Sequence, residues 1–191
     1  RAGLVGQYVG ETAQKTDKVI QDALGGVLFI DEAYSLFSKG NSNDFGKEAI
    51  DILLKRLEDY KGKFIVIVAG YTDEMNDFLE ANPGMKSRFN HYFYFEDYTP
   101  DELKTIFINL LNKEDFKIED NALQELHKYF IELYRTRDKS FGNARLVRNI
   151  FEEIKMNVSK RFLQIPPDIR KPEDMVTIRL VDIEKIIKPK E

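Results

Sequence analysis

The stretch that most limits the fold is Gly25-Gly26-Val27-Leu28-Phe29-Ile30-Asp31-Glu32. A glycine pair closes one element, an apolar run follows without a polar break, and two adjacent carboxylates end it. An unbroken apolar run this short predicts a strand buried on both faces, the habit of parallel sheets. A second such run, Phe64-Ile65-Val66-Ile67-Val68-Ala69, leaves the turn Lys61-Gly62-Lys63. Between them Ala49, Ile50, Leu53, Leu54 and Leu57 recur at helical spacing, with Asp44 or a neighbour as the cap. Ahead of them Ala13, Val19, Ile20, Ala23 and Leu24 mark another helix, stopped by the glycine pair. Helix, strand, helix, strand in short alternation predicts a parallel sheet with right-handed crossovers. Ligands of open α/β sheets sit at the carboxyl ends of the strands, so Asp31-Glu32 is where chemistry is expected. An aspartate there can hold Mg²⁺ through water, and a glutamate beside it can orient a water for attack on a phosphate. A strand that simply ends in a solvated acidic turn has the same sequence.

Residues 1–10 are glycine-rich around an exposed Tyr8, and residues 35–43 are polar, which predicts a mobile loop. A short helix over 73–80 is stopped by Asn82-Pro83-Gly84. The loop Met85-Lys86-Ser87-Arg88-Phe89 follows, and then Tyr92-Phe93-Tyr94-Phe95, which reads as a core strand rather than a base-stacking platform. Thr99-Pro100-Asp101-Glu102 is a capping signal with proline in the first turn. Beyond it the pattern is almost wholly helical. Leu103, Ile106, Phe107, Leu110 and Leu111 mark one helix; Leu123, Leu126, Phe130 and Leu133 the next; Leu146, Val147, Ile150, Phe151, Ile154 and Val158 a third. Pro166-Pro167 opens a linker that runs to Pro172, and residues 176–187 add a short extended piece and a helix. The expected organisation is an α/β unit over 1–98 and a helical unit over 99–191.

The net charge of −4 over 191 residues argues against a general attraction to nucleic acid or to anionic membrane. No apolar run reaches membrane-spanning length. Without cysteine there is neither a disulfide nor a thiolate metal site, which fits a reducing, cytoplasmic compartment. His91 and His127 have no companions at ligand spacing.

Five motifs in order, Leu4-Val5-Gly6-Gln7-Tyr8-Val9-Gly10, the stretch 25–32, Ala69-Gly70-Tyr71, Asn82-Pro83-Gly84 through Ser87-Arg88-Phe89, and Gly142-Asn143-Ala144-Arg145, give the chain a resemblance that spans nearly its whole length. It resembles the AAA+ ATPases, and within them the CbbX/CfxQ (red-type Rubisco activase) and SpoVK-like group. That resemblance implies an α/β fold: a P-loop NTPase core, here an N-terminally truncated parallel sheet with flanking helices, followed by a small helical lid. It implies ATP and Mg²⁺ as cofactors, a homo-oligomeric ring, hexameric in the family, and a protein substrate. Asp31 and Glu32 correspond to the Walker B pair, with Asp31 in the Mg²⁺ shell and Glu32 polarising water. Tyr71 or Thr72 stands where the family carries a sensor of the γ-phosphate. Arg88 corresponds to the arginine finger, with Lys86 as a weaker candidate. Arg145 corresponds to the sensor 2 arginine, and Arg148 lies one turn further on the same face. Asn143 reads as the N-cap of that helix. Tyr8-Val9-Gly10 matches the aromatic-hydrophobic-glycine pore loop, in which an aromatic flanked by glycines can grip a threaded polypeptide.

No Gly-x-x-x-x-Gly-Lys-Ser/Thr occurs in the sequence: Gly46-Lys47 is followed by Glu48, and Gly62-Lys63 by Phe64. The resemblance puts that loop upstream, on a strand lying between the two that match residues 64–69 and 92–95. The expectation is a parent chain with a P-loop and a fragment that binds ATP poorly and does not hydrolyse it. Two other classes stay open: a nucleic-acid-linked AAA+ ATPase, and a scaffold or interaction module without catalysis.

Overall fold

A computed structural model describes residues 2–6, 8, 10–37 and 45–187. The chain divides into two compact units, Arg1–Tyr94 and Phe95–Glu191.

In the first unit, α1 (Glu11–Asp22) starts after Gly10, whose φ of 86° suits a residue without a side chain. It stops before Gly25, another left-handed glycine, whose N–H donates to the Lys63 carbonyl at 2.7 Å and aligns the two strands. β1 (Val27–Ile30) and β2 (Ile65–Val68) pair in parallel, Val27 opposite Ile65 and Ile30 opposite Val68. They are joined through a 3-10 turn (Ala33–Leu36) and α2 (Phe45–Asp59). Two further helices follow, α3 (Thr72–Ala81) and α4 (Pro83–Lys86). The expected cap at Asp44, and the expected loop over 38–43, lie outside the described residues.

The expectation that both strands are buried on both faces is not met. Leu28 and Ile30 pack into a core with Ile20, Leu36, Ile50, Leu53, Phe78 and Met85. Val27, Phe29, Ile65 and Ile67 point the other way and keep 54%, 57%, 61% and 46% of their surface in solvent. Side chains alternate across a strand, and among the described residues helices cover only one face of this ladder. Residues 92–95 are likewise not a core strand. They carry no ladder pairing, and all four aromatic side chains are exposed. Among the described residues β1 and β2 pair only with each other, and this run has neither a partner strand nor a covering layer. Part of the expected loop at 85–89 is helical instead: Pro83 opens α4, a position that suits its missing N–H, and Met85 is fully buried.

The second unit opens with α5 (Pro100–Lys113). Thr99 accepts from the Glu102 N–H while Glu102 accepts from the Thr99 N–H, a complete capping box. α6 (Asp120–Arg135), α7 (Asn143–Gln164), α8 (Glu173–Val176) and α9 (Leu180–Ile187) follow. Phe107 sits at the centre of the core, edge-on to Phe130 and Phe151 at 6.3 and 5.6 Å between ring centroids. The extended piece expected within 176–187 is β4 (Thr177–Ile178), but its two-residue parallel ladder with β3 (Lys117–Ile118) was not expected. It joins segments far apart in sequence and is too short to leave a period-two pattern. Below it Asp182, almost wholly buried, accepts from Arg161 Nε at 2.9 Å and from the Arg179 N–H at 2.8 Å. Arg161 also donates to the carbonyls of Asp174 and Thr177.

Candidate functional site

The acidic pair stands at the carboxyl end of β1, and the parallel ladder continues past the strand to hold it. Ala69 N–H donates to the Ile30 carbonyl at 2.9 Å, and Ala33 N–H donates to the Ala69 carbonyl at 3.0 Å. Asp31 and Glu32 are thereby looped between two fixed points, beside the segment 69–71 that leaves β2. Glu32 is in the left-handed region, φ 47° and ψ 46°, a conformation uncommon for a residue with a long side chain. Such outliers persist where the surroundings over-determine them, and they gather at functional sites. The Glu32 N–H donates to Asp31 Oδ1 at 3.0 Å, and the Glu32 carbonyl accepts from the Ser35 N–H at 2.8 Å. Both carboxylates are exposed.

Tyr34 completes this end of the sheet, and sequence reasoning missed it. Its ring lies 6.4 Å from that of Tyr71, tilted by 32°. Burial, then the negative charge of Glu32, Tyr71, Glu74 and Asp31, holds its hydroxyl above the ordinary tyrosine range. Gly70 is what admits the ring. A β-carbon there would meet Tyr34 Cε1 at 2.7 Å and Met75 Sδ at 2.9 Å. A glycine directly after the apolar run 64–69 was the available sequence signal, since it marks close approach. Tyr71 precedes α3 and Thr72 is its first residue; both are exposed.

Asp31, Glu32, Tyr34 and Tyr71 thus form one cluster, followed directly by Thr72. Hard oxygen ligands suit Mg²⁺, which takes one or two carboxylates and keeps several waters. An exposed aspartate with one oxygen accepting from the next residue's N–H fits that mode of binding. Among the described residues no group of three or more His, Cys, Asp or Glu could enclose a metal.

Arg88 follows α4, and its guanidinium donates to the Gly84 carbonyl at 3.1 Å and to Glu58 Oε2 at 3.2 Å. Tyr8 is exposed, its backbone tied to Glu11 just ahead of α1, and Gly10 is left-handed; Val9, the middle of the expected pore loop, lies outside the described residues. Arg145 and Arg148 belong to the second unit, exposed on the first turns of α7. Asn143 is not the N-cap that its position suggests. It is the first residue of α7, left-handed at φ 49°, and its side chain makes no capping bond. Its amide reaches back along the chain instead. Oδ1 accepts from the Tyr98 N–H at 2.9 Å, and Nδ2 donates to Asp97 Oδ1 at 2.8 Å.

Known proteins resemble the chain in the same two parts. A family model described as the ATPase family associated with various cellular activities (AAA) matches residues 1–97, and one for the AAA lid domain matches residues 99–191. The chain is 40% identical over 185 residues to a CfxQ homologue of Galdieria sulphuraria, covering 97% of this chain and 60% of that protein. It is 42% identical over 184 residues to stage V sporulation protein K of Bacillus subtilis (96% and 56%). It is 40% identical over 187 residues to the chloroplastic ribulose bisphosphate carboxylase/oxygenase activase of Cyanidioschyzon merolae (97% and 62%). The chain therefore spans about 60% of the length of the curated relatives it matches. The crystal structure of the FIGL-1 AAA domain superposes with a TM-score of 0.61 over the whole chain and 61% of its own, at 17% identity, a likeness of fold. With an α/β core, a helical lid and the family model over residues 1–97, the chain belongs to the AAA ATPase family, and CfxQ/CbxX and SpoVK proteins are among the relatives it is similar to.

Proposed function

We propose that these residues are part of an Mg²⁺-dependent ATPase that works as a homo-oligomeric ring, a hexamer, and remodels a protein substrate by pulling it through the central pore. The observation that carries this reading is the hold on Asp31-Glu32: a continued parallel ladder and a left-handed Glu32 fix two exposed carboxylates beside the strand-end segment 69–71. Fixed acidic oxygens suit a hydrated Mg²⁺ and a positioned water, the two needs of phosphoryl transfer to water. In this reading Asp31 holds the ion's water shell, Glu32 accepts the proton of the attacking water, and Tyr71 or Thr72 reports the γ-phosphate. The ion's own contribution is to neutralise charge on the phosphate oxygens. Arg145, on the first turn of α7 with Arg148 behind it, offers a cation at a helix N-terminus where phosphate is favoured. Arg88 acts on the neighbouring subunit's nucleotide, leaving its Glu58 and Gly84 partners to do so. Exposed Tyr8, with Val9 and Gly10, grips the substrate chain. The working division is 1–98 for the core and 99–191 for the lid.

A phosphate-binding glycine loop is not among these residues, so the 191-residue chain alone binds ATP poorly and is inactive, and the full-length protein supplies the loop. The bare face of Val27, Phe29, Ile65 and Ile67 supports that expectation, because an apolar sheet face of this kind is ordinarily covered. The absence of cysteine supports a reducing location such as the cytoplasm, and the acidic balance speaks against a nucleic-acid substrate.

The test is steady-state ATP hydrolysis by the full-length protein against its own concentration. A cooperative rise is expected, with a loss of about a thousandfold in Arg88→Ala and abolition in Glu32→Gln. Tyr8→Ala should keep hydrolysis and lose remodelling. Neither hydrolysis nor binding of a fluorescent nucleotide by the full-length protein would replace this reading with a non-catalytic scaffold.

A further inference from the structure

The segment that carries Tyr8 is strapped to the first turns of α1. The Leu4 carbonyl accepts from the Thr16 hydroxyl at 2.9 Å, and the Gly6 N–H donates to Thr12 Oγ1 at 3.0 Å. Between them the Val5 carbonyl accepts from Lys15 Nζ at 3.2 Å. At the far end the Tyr8 N–H donates to Glu11 Oε2, and the Tyr8 carbonyl accepts from the Glu11 N–H, both at 3.2 Å. The Leu4 side chain is buried in the same core that α1 enters through Ile20. Gly6 lies so close to the helix that a β-carbon there would meet Glu11 Cβ at 2.5 Å and the Thr12 nitrogen at 2.9 Å.

The two threonines are an unusual choice for their place. Thr12, Thr16 and Ile20 recur every fourth residue and so share one face of α1, and all three are fully buried. Burial alone favours an apolar side chain, as at Ile20. A threonine inside a helix commonly turns its hydroxyl to the carbonyl one turn back, whereas Thr16 donates across to Leu4. Each hydroxyl supplies what a methyl group cannot, a partner for a backbone group of residues 4–6. A glycine-flanked loop is by itself compliant, and these bonds tie this one down before and after its exposed tyrosine.

We infer that Thr12 and Thr16 are positioning residues for Tyr8: their hydroxyls make residues 4–8 and α1 one stiff piece, so that load on the tyrosine enters the helix instead of stretching the loop. This rests on the reading of Tyr8 as the residue that grips a polypeptide. α1 runs on to Gly25, which bonds Lys63 at the start of the ladder whose other end holds Asp31-Glu32.

The experiment uses the full-length protein with fluorescein-labelled casein as an unfolded polypeptide probe. Wild type is compared with Tyr8→Ala, Thr12→Val, Thr16→Val and Thr16→Ser, valine keeping the volume and serine the hydroxyl. Thr12→Val should speed hydrogen exchange at the Gly6 amide by about fivefold or more, the loss of one hydrogen bond. Both valine variants should keep basal ATP hydrolysis and half-saturate with casein within about twofold of wild type, a small change in binding free energy, because Tyr8 is untouched. Their maximal casein-stimulated hydrolysis should fall by half or more, and Thr16→Ser should retain it. Lys15→Met removes the bond to Val5 from an exposed position and should show the same split, to a lesser degree, should a buried valine prevent folding. Full stimulation in the valine variants would overturn the inference. So would a joint loss of casein binding, basal hydrolysis and melting temperature, which marks a purely structural role, or a Thr16→Ser that behaves like Thr16→Val. These results leave the gripping role of Tyr8 standing. A wild type that casein does not stimulate, or a Tyr8→Ala that responds like wild type, would overturn both.

Discussion

Substituting Gly70 by alanine tests whether the end of the sheet is packed as tightly as its geometry indicates. The new β-carbon would lie 2.7 and 2.8 Å from Tyr34 Cε1 and Cδ1, and 2.9 Å from Met75 Sδ. Met75 can swing its flexible end aside. The tyrosine ring is stiff, and it must retreat by about 0.7 Å to reach the 3.4 Å of ordinary contact. Tyr71 stands near that ring, and Tyr34 belongs to the 3-10 turn that begins directly after Glu32. Overpacking of this kind costs about 1–3 kcal/mol. For a unit the size of Arg1–Tyr94, each kcal/mol lowers the melting temperature by roughly 4–8 °C. Gly70→Ala should therefore melt at least about 4 °C below the parent by circular dichroism. In the full-length protein it should also lower ATP hydrolysis, because the displaced turn carries Glu32 with it. The clash is specific, so Tyr34→Ala should relieve it. In that background Gly70→Ala should cost no more than about 0.5 kcal/mol, a coupling of about 0.5 kcal/mol or more between neighbours. Equal destabilisation by Gly70→Ala in both backgrounds, or none in either, would refute the packing argument.

Two further outcomes concern the helical unit. Arg161→Ala leaves the buried Asp182 carboxylate without its charged partner, and a loss of about 3–5 kcal/mol is expected in thermal unfolding; replacing both residues by apolar ones of similar volume should recover most of it, and a mild effect of the single change would show that the pair is not desolvated. Glu102 is held below its ordinary value of 4.5, first by the Thr99 N–H and then by the Thr99 hydroxyl. A carboxylate lowered in the folded state adds stability that is present above 4.5 and disappears as pH falls through the folded value. Melting of the wild type between about pH 6 and about pH 3 should show that decline, and Thr99→Ala should make it shallower without removing it, because the hydroxyl bond to Glu102 is gone while the backbone N–H bond stays.

Much of the architecture was legible because it rests on neighbours in sequence. Apolar runs bounded by glycine gave β1 and β2, Thr99-Pro100-Asp101-Glu102 marked the start of α5, and helical spacing located α5, α6 and α7. The acidic pair was found the same way, as the polar end of an apolar strand. The motifs around it were enough to suggest the family. None of these features depends on what packs from a distance.

What tertiary structure decided are the matters that distant partners control. An apolar run looks the same whether one face or two are covered, so the exposure of Val27, Phe29, Ile65 and Ile67 depended on where α1 and α2 lay. Residues 92–95 have strand-forming composition, yet a strand exists only where a partner offers its backbone groups, and none does so among the described residues. Tyr34 joined the site because Gly70, far along the chain, leaves room for its ring. Asn143 has the sequence position of a helix cap and the backbone of a residue that cannot be one, and only the fold brings Asp97 and Tyr98 within reach of its amide. Propensity and period are properties of a segment, whereas faces, pairings and left-handed residues are set by what the rest of the molecule presses against it.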